Sequence, residues 1–177
     1  MRYCNIAFET DFHKSLIKQS GDHCVFISHK REDKEVALEI GQFLMDVVGV
    51  HIYLDVMDES LQKATQVEND RLIVESVKKG LMYSTHLLCL ISDKTRLSWW
   101  VPYEIGIADN ENLNISTLKL NTTDDIPSFL KIHPYFYRSE DFIKYAISYT
   151  RYGTIFFDTE YPRIYSNADT IKRYIDT

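Results

Sequence analysis

A chain of 177 residues that is 45% hydrophobic and 26% charged is long enough to bury a core without metals or disulfides, and too apolar to remain disordered. Its formal net charge of -6 argues against nucleic acid as a partner, because a phosphate backbone calls for clustered Lys and Arg. No apolar run approaches the roughly 18 residues of a membrane span, and Met1-Arg2-Tyr3-Cys4-Asn5 does not open a signal peptide, so a cytoplasmic protein with no membrane partner is expected.

In chain order, short apolar runs alternate with longer amphipathic stretches. Cys24-Val25-Phe26-Ile27-Ser28 is β-branched, aromatic and too short for a helix, and reads as strand one. Asp33 is placed to cap a helix in which Val36, Ala37, Ile40, Leu44, Val47 and Val48 recur at helical spacing, ending near Gly49. Strand two follows as Val50 to Asp55. A polar loop from Val56 to Thr65 leads to a helix carrying Leu72, Ile73, Val77, Leu81 and Met82, with Gly80 expected to break its last turn. Strand three is His86 to Ile91.

After Ser92 a loop reaches Ser98, an N-cap for a short helix from Trp99 to about Asp109, with Pro102 in its permissive first turn. Ile115 to Leu120 is strand four, Tyr135 to Tyr137 a short fifth, and a helix runs from Glu140 to about Arg151. Residues 1–21 read as an N-terminal extension without periodicity and 22–152 as one domain. Residues 153–177 read as a C-terminal extension packed on that domain, with the apolar run Thr154-Ile155-Phe156-Phe157 and a terminal helix. The alternation of apolar strands with helices is that of an α/β protein with a flavodoxin-like parallel sheet and helices on both faces.

Cys4, Cys24 and Cys89 are an odd set with no close pair, against a disulfide framework or a Cys-based zinc site, and no metal is expected. In the tyrosine-rich last third, Arg138, Lys144, Arg151 and Arg163 are offset by Glu140, Asp141, Asp158 and Glu160. Glycine-rich phosphate loops, the dinucleotide fingerprint and the His-Glu zinc motif are all missing.

Ligands of open parallel sheets collect at the carboxyl ends of the strands. That edge gathers Ser28, His29 and Lys30 after strand one, Asp55 after strand two and Ser92 after strand three, with the Ser98 helix just beyond. In that helix Trp100 and Glu104 are four residues apart and share a face. A lone pairing of this kind is also what a packed tryptophan beside a solvated glutamate would give.

Val25-Phe26-Ile27-Ser28-His29-Lys30-Arg31-Glu32-Asp33 resembles the first signature box of Toll/interleukin-1 receptor (TIR) domains. Trp100-Val101-Pro102-Tyr103-Glu104 resembles the W-x-x-x-E element of bacterial TIR proteins. Tyr53-Leu54-Asp55 and His86 to Ser92 extend the resemblance over about residues 22–150. It implies a five-stranded parallel sheet, self-association and, as in many bacterial members, cleavage of NAD⁺ by a glutamate at the position of Glu104. The loop Asp55-Val56-Met57-Asp58-Glu59-Ser60 lacks the Arg-Asp-x-x-Pro-Gly pattern of receptor and adaptor members, and their Phe-Trp third box has no clear counterpart.

On this reading NAD⁺ is a consumed substrate and no cofactor is needed. Glu104 is the catalytic carboxylate. Ser28, His29, Lys30, Asp55 and Trp100 are candidates for substrate binding, each with a plainer alternative. Ser28 and His29 either line the nucleotide site or satisfy backbone and solvent. Lys30 and Arg31 either steer phosphates or form a solvated charge pair. Asp55 either bonds a ribose hydroxyl or ends its strand, and Trp100 either stacks on a substrate ring or braces the helix, the brace being preferred. A small chain of this type resembles the signal-producing half of bacterial antiphage systems, whose effector is a separate protein. The competing expectation is a non-enzymatic module that signals by TIR–TIR assembly.

Overall fold

The apolar runs form one parallel sheet from β1 (Cys24–Ser28), β2 (His51–Tyr53), β3 (His86–Ile91), β4 (Asn114–Lys119) and β5 (Tyr135–Phe136), in the order β2-β1-β3-β4-β5. The computed structural model describes residues 3–54, 66–121, 125–150 and 157–176. The chain leaves β1 toward one edge and then builds in the other direction from β3. Because crossovers between parallel strands are right-handed, this reversal puts α2 (Lys34–Phe43) on one face of the sheet, with α3 (Gln66–Tyr83) and α4 (Trp100–Asn110) on the other. The crevice of an open sheet therefore falls between β1 and β3.

Two apolar layers result from the strand period of two. Val25, Ile27, Ile52, Leu88, Leu90 and Leu118 face α2, whereas Cys24, Phe26, Tyr53, Leu87, Cys89 and Ile91 face α3 and α4. Cys24 and Cys89 are buried free thiols, and burial raises the pKa of Cys24 to about 12.

Several sequence expectations are corrected. Asp33 does not cap α2: it closes a 3₁₀ turn (Arg31–Asp33), and its side chain makes no capping bond. The helix continues past Phe43 as a π-helical segment, Leu44–Val48, and ends on Gly49 at φ 86°. Gly80 does not break α3, which runs on to Tyr83; it makes room for a stacked pair, Phe26 and Tyr53, 5.5 Å apart. Leu72 and Met82, expected on the inner face of that helix, are exposed, while Val77 and Leu81 are buried. Strand two is shorter than expected, and the Val56–Thr65 loop lies outside the described residues.

The N-terminal stretch is ordered, contrary to its lack of pattern. After a 3₁₀ turn (Ile6–Phe8), α1 (Asp11–Ser20) starts where the Thr10 hydroxyl accepts from His13 N–H and ends at Gly21 with φ 75°. Its buried positions are Lys14 and Ile17, whereas Phe12 and Leu16 face outward, so apolarity does not mark the packed side. Just before it, Asn5 bridges to Ile52, accepts from Leu54 N–H at 3.1 Å and donates to Leu54 O at 2.9 Å. That segment covers an edge strand that would otherwise present unpaired backbone.

At the other end, α5 (Ser139–Ala146) is followed by α6 (Phe157–Ser166) and α7 (Asp169–Ile175), and Ile164, Ala168, Ile171 and Ile175 complete the α2-side core. The Asp176 carboxylate accepts from Ser139 N–H at 2.8 Å, a negative charge at the start of α5 where the helix dipole favours it. Arg138, Lys144 and Arg163 pair with Asp141, Glu140 and Glu160. α5 ends at Ala146 and gives way to a 3₁₀ turn, Ile147–Tyr149, short of the expected end near Arg151, and most of the Thr154–Phe157 run falls outside the described residues. Among the described residues no helix is long and apolar enough to cross a membrane.

A methyl group at position 80 would stand 2.6 Å from Tyr53 Cδ1 and 2.8 Å from Phe26 Cε2. Gly80→Ala gains about 1 kcal/mol of helix propensity but overpacks the aromatic pair at a cost of about 1–3 kcal/mol. We expect a net loss of stability in urea unfolding, and a more stable variant would contradict this account of the glycine.

Candidate active site

α4 is set by its first turn. Ser98 Oγ accepts from Val101 N–H at 3.2 Å, so the capping side chain expected at Ser98 is in place although the helix proper begins at Trp100. Pro102 occupies the third helical position, where no intrahelical donor is needed. Val101, Ile105 and Ala108 bury the inward stripe against β3 and β4. This orientation turns Glu104 toward the carboxyl end of β1.

There Ser28, fully buried, donates its hydroxyl to Glu104 Oε2 at 2.5 Å. Two residues far apart in sequence thus meet beside the β1–β3 crevice, joined by a charge-assisted type of hydrogen bond. Cys89 lies next to Ser28 across the sheet. Burial and then the Glu104 charge drive its thiol pKa far up, against a smaller opposing effect of Ser28. Cys89 therefore stays a neutral thiol and is no nucleophile.

A second tie crosses the crevice. Asp33, 5% exposed, accepts from Ser92 Oγ at 2.5 Å and from Lys94 Nζ at 3.2 Å, while Lys94 also donates to Glu32 O at 3.4 Å. Sequence reasoning gave Asp33 a helix cap and left Lys94 unused. The available signal was two polar loops meeting at one sheet edge, but spacing does not reveal which carboxylate faces which hydroxyl.

The remaining candidates are dispersed around this centre. His29 is half-buried, and its Nδ1–H donates to Ile27 O at 3.2 Å. Lys30 lies 3.8 Å from Glu32 Oε2, and Arg31 is exposed. Asp55 lies outside the described residues. Trp100 is half-buried and packs edge-to-face on Tyr103 with centroids 6.0 Å apart. Tyr103 packs on the core, whereas the Trp100 ring belongs to neither core layer. Its neighbour Trp99 is 91% exposed. Among the described residues no group of three or more His, Cys, Asp or Glu is arranged to hold a metal.

On the other flank of α4, a 390 Å³ cavity is lined by Ser98, Val101, Pro102 and Ile105 together with Ile91, Thr95, Pro127, Phe129 and Leu130. It does not include Glu104.

The fold, the first signature box ending β1 and the carboxylate on α4 define a TIR-type α/β domain. The family profile described as TIR domain matches residues 25–147, and the chain belongs to that family. Among solved structures it is similar to the TIR domain of a Toll-related receptor from Hydra magnipapillata, at 15% identity and a TM-score of 0.48, over 63% of this chain and 82% of that one. No curated protein matches the chain.

Because Trp100 rests on Tyr103 and not inside a core layer, Trp100→Ala removes an aromatic pair contributing about 0.5–1.5 kcal/mol. A fully buried aromatic would contribute about 3–5 kcal/mol. We expect a thermal unfolding shift of the smaller size, and a loss of the larger size would restore Trp100 to the core.

Proposed function

We propose that this TIR domain is an NAD⁺ nucleosidase in which Glu104 stabilises the breaking nicotinamide–ribose bond. The observation that carries the reading is the placement of the Glu104 carboxylate at the β1–β3 crevice, held by the buried Ser28 hydroxyl. In such a cleavage the C1′–N1 bond breaks and its electron pair neutralises the pyridinium, so nicotinamide departs without a proton. Positive charge develops on the ribose, and a fixed carboxylate near that carbon lowers the barrier. The second carboxylic acid that a glycosidase needs to protonate its leaving group is dispensable.

The cation left behind is captured by whichever nucleophile reaches C1′. Water gives ADP-ribose and a proton, an atom of the same molecule gives a cyclic isomer, and an acceptor hydroxyl gives a conjugate. Each is a diffusible product suited to a second messenger read by a separate effector, and antiphage signalling is the setting we propose. The companion candidates fit subsidiary tasks. His29 and Lys30 stand beside Ser28 at the end of β1, where a nucleotide would lie, and Trp100 is one helical turn before Glu104 with part of its ring open to contact. NAD⁺ enters as substrate, so no bound cofactor is required.

The test is release of free nicotinamide by the pure protein from NAD⁺, compared with Glu104→Gln. Isosteric neutralisation removes charge while leaving shape, and loss of one preorganised electrostatic group lowers turnover by about 100-fold or more. Parental release by a Glu104→Gln protein with a native circular dichroism spectrum would remove Glu104 from the chemistry. If the parent protein releases no nicotinamide, the domain acts through TIR–TIR assembly alone.

A further inference from the structure

His51 opens β2, the edge strand, and is 1% exposed. Its Nδ1 accepts from Cys4 N–H at 3.3 Å and stands 3.5 Å from Cys4 Sγ. The ring proton therefore sits on Nε2, which has no hydrogen-bond partner among the described residues. We infer that His51 is an acid-opened latch: neutral, it holds the N-terminal segment on β2, and protonated, it releases that segment. The inference goes beyond the NAD⁺ chemistry and does not depend on it.

An imidazolium is a donor at both nitrogens. If His51 were protonated in place, its new Nδ1–H would face Cys4 N–H, donor against donor, while Nε2–H stayed without an acceptor and the charge stayed out of water. Each of these favours the neutral ring. On the N-terminal segment the ring meets Cys4 and Tyr3, the latter edge-on with centroids 5.3 Å apart. Lifting this short stretch removes the opposing donor and opens the ring to water. It also undoes more of the edge: Cys4 O accepts from Ile52 N–H at 3.2 Å, and Asn5 pairs with both backbone groups of Leu54, the residue before Asp55.

The titratable groups around His51 come from three elements. Cys4 and Glu9 lie on the N-terminal segment, His13 lies on α1 and is paired with Glu9 at 2.6 Å, and Asp22 lies between α1 and β1. The next imidazole along the sheet edge, His23, is turned to Tyr149 O at 2.5 Å and to the His86 ring. Burial, the largest influence, lowers the pKa of His51; of the charges, Asp22 and Glu9 oppose this and His13 adds to it. With the closed-state value lowered, the latch is at full strength above the ordinary histidine pKa of about 6.5. It weakens as pH falls below that value, its opening constant rising by up to about tenfold per pH unit.

The experiment is reaction of the full chain with a pyridyl disulfide, which modifies thiols in acid as well as at neutral pH, each rate being divided by that of the urea-unfolded chain at the same pH. Cys4 is half-buried and reports the segment, whereas Cys24 and Cys89 are buried and report the sheet; peptide mapping separates them. The inference expects Cys4 protection to be constant above a pH of about 6.5 and to fall about tenfold or more by a pH of about 5, with Cys24 and Cys89 still protected. His51→Gln keeps an oxygen to accept from Cys4 N–H and cannot take a charge, so its protection no longer changes with pH. His51→Phe, which lacks the acceptor, protects Cys4 less but just as evenly, and His13→Gln keeps the parental profile. Parental Cys4 protection that does not change with pH overturns the inference. So does a His51→Gln protein with the parental profile, which would assign the titration to another group. Reaction of Cys24 and Cys89 in step with Cys4 overturns it as well, because the whole sheet and not the segment would then be opening.

Discussion

The hydrogen bond from Ser28 to Glu104 is the constraint on which the rest of the site depends. It joins the last residue of β1 to the middle of a helix on the far side of a crossover, and it does so at 2.5 Å with the serine fully buried. A carboxylate drawn that close to a sheet needs a donor, since an unpaired charge leaving water costs several kcal/mol. Ser28 supplies it without adding a positive charge, so the negative charge stays available to a developing cation. The orientation of α4 follows from the same requirement. Val101 and Ile105 must pack inward, and Glu104, on the adjoining face, then meets the end of β1.

Around this bond the protein places a second brace of the same kind. Asp33 ties the segment after β1 to Ser92 and Lys94 after β3, closing the crevice from the side opposite Glu104. Both braces are hydroxyl-to-carboxylate bonds across the point where strand order reverses. The Asp33 brace ties the loops of two neighbouring strands together through polar bonds. Cys89, whose thiol is kept protonated between burial and the Glu104 charge, is a spacer under the site and not a reactive group.

The strands were legible because each is a short run with one packed pattern. His86 to Ile91 was bounded to the residue, since both of its faces are buried and the run stops at Ser92. Glu104 and Ser28 were legible as residues of interest from their motifs, but the bond between them was not, because contact between distant segments depends on how α4 is rotated. Three other features escaped for different physical reasons. α1 packs through Lys14 and Ile17 and turns its phenylalanine outward, so its pattern misleads. Gly80 was read as a breaker because propensity is local, whereas its role is set by Phe26 and Tyr53 from two other elements. Asp33 has the position of a cap and the burial of a brace, and only tertiary packing distinguishes them.

The measurement that bears most directly on this account is a double-mutant cycle on nicotinamide release with Ser28→Ala, Glu104→Gln and the two combined. If Ser28 acts by holding Glu104, Ser28→Ala alone lowers the rate, by up to about 100-fold for a displaced catalytic group. Adding it to Glu104→Gln then changes almost nothing, because there is no carboxylate left to position. A Ser28→Ala protein with the parental rate, or two losses that multiply in the double variant, would contradict the claim that this bond prepares the site.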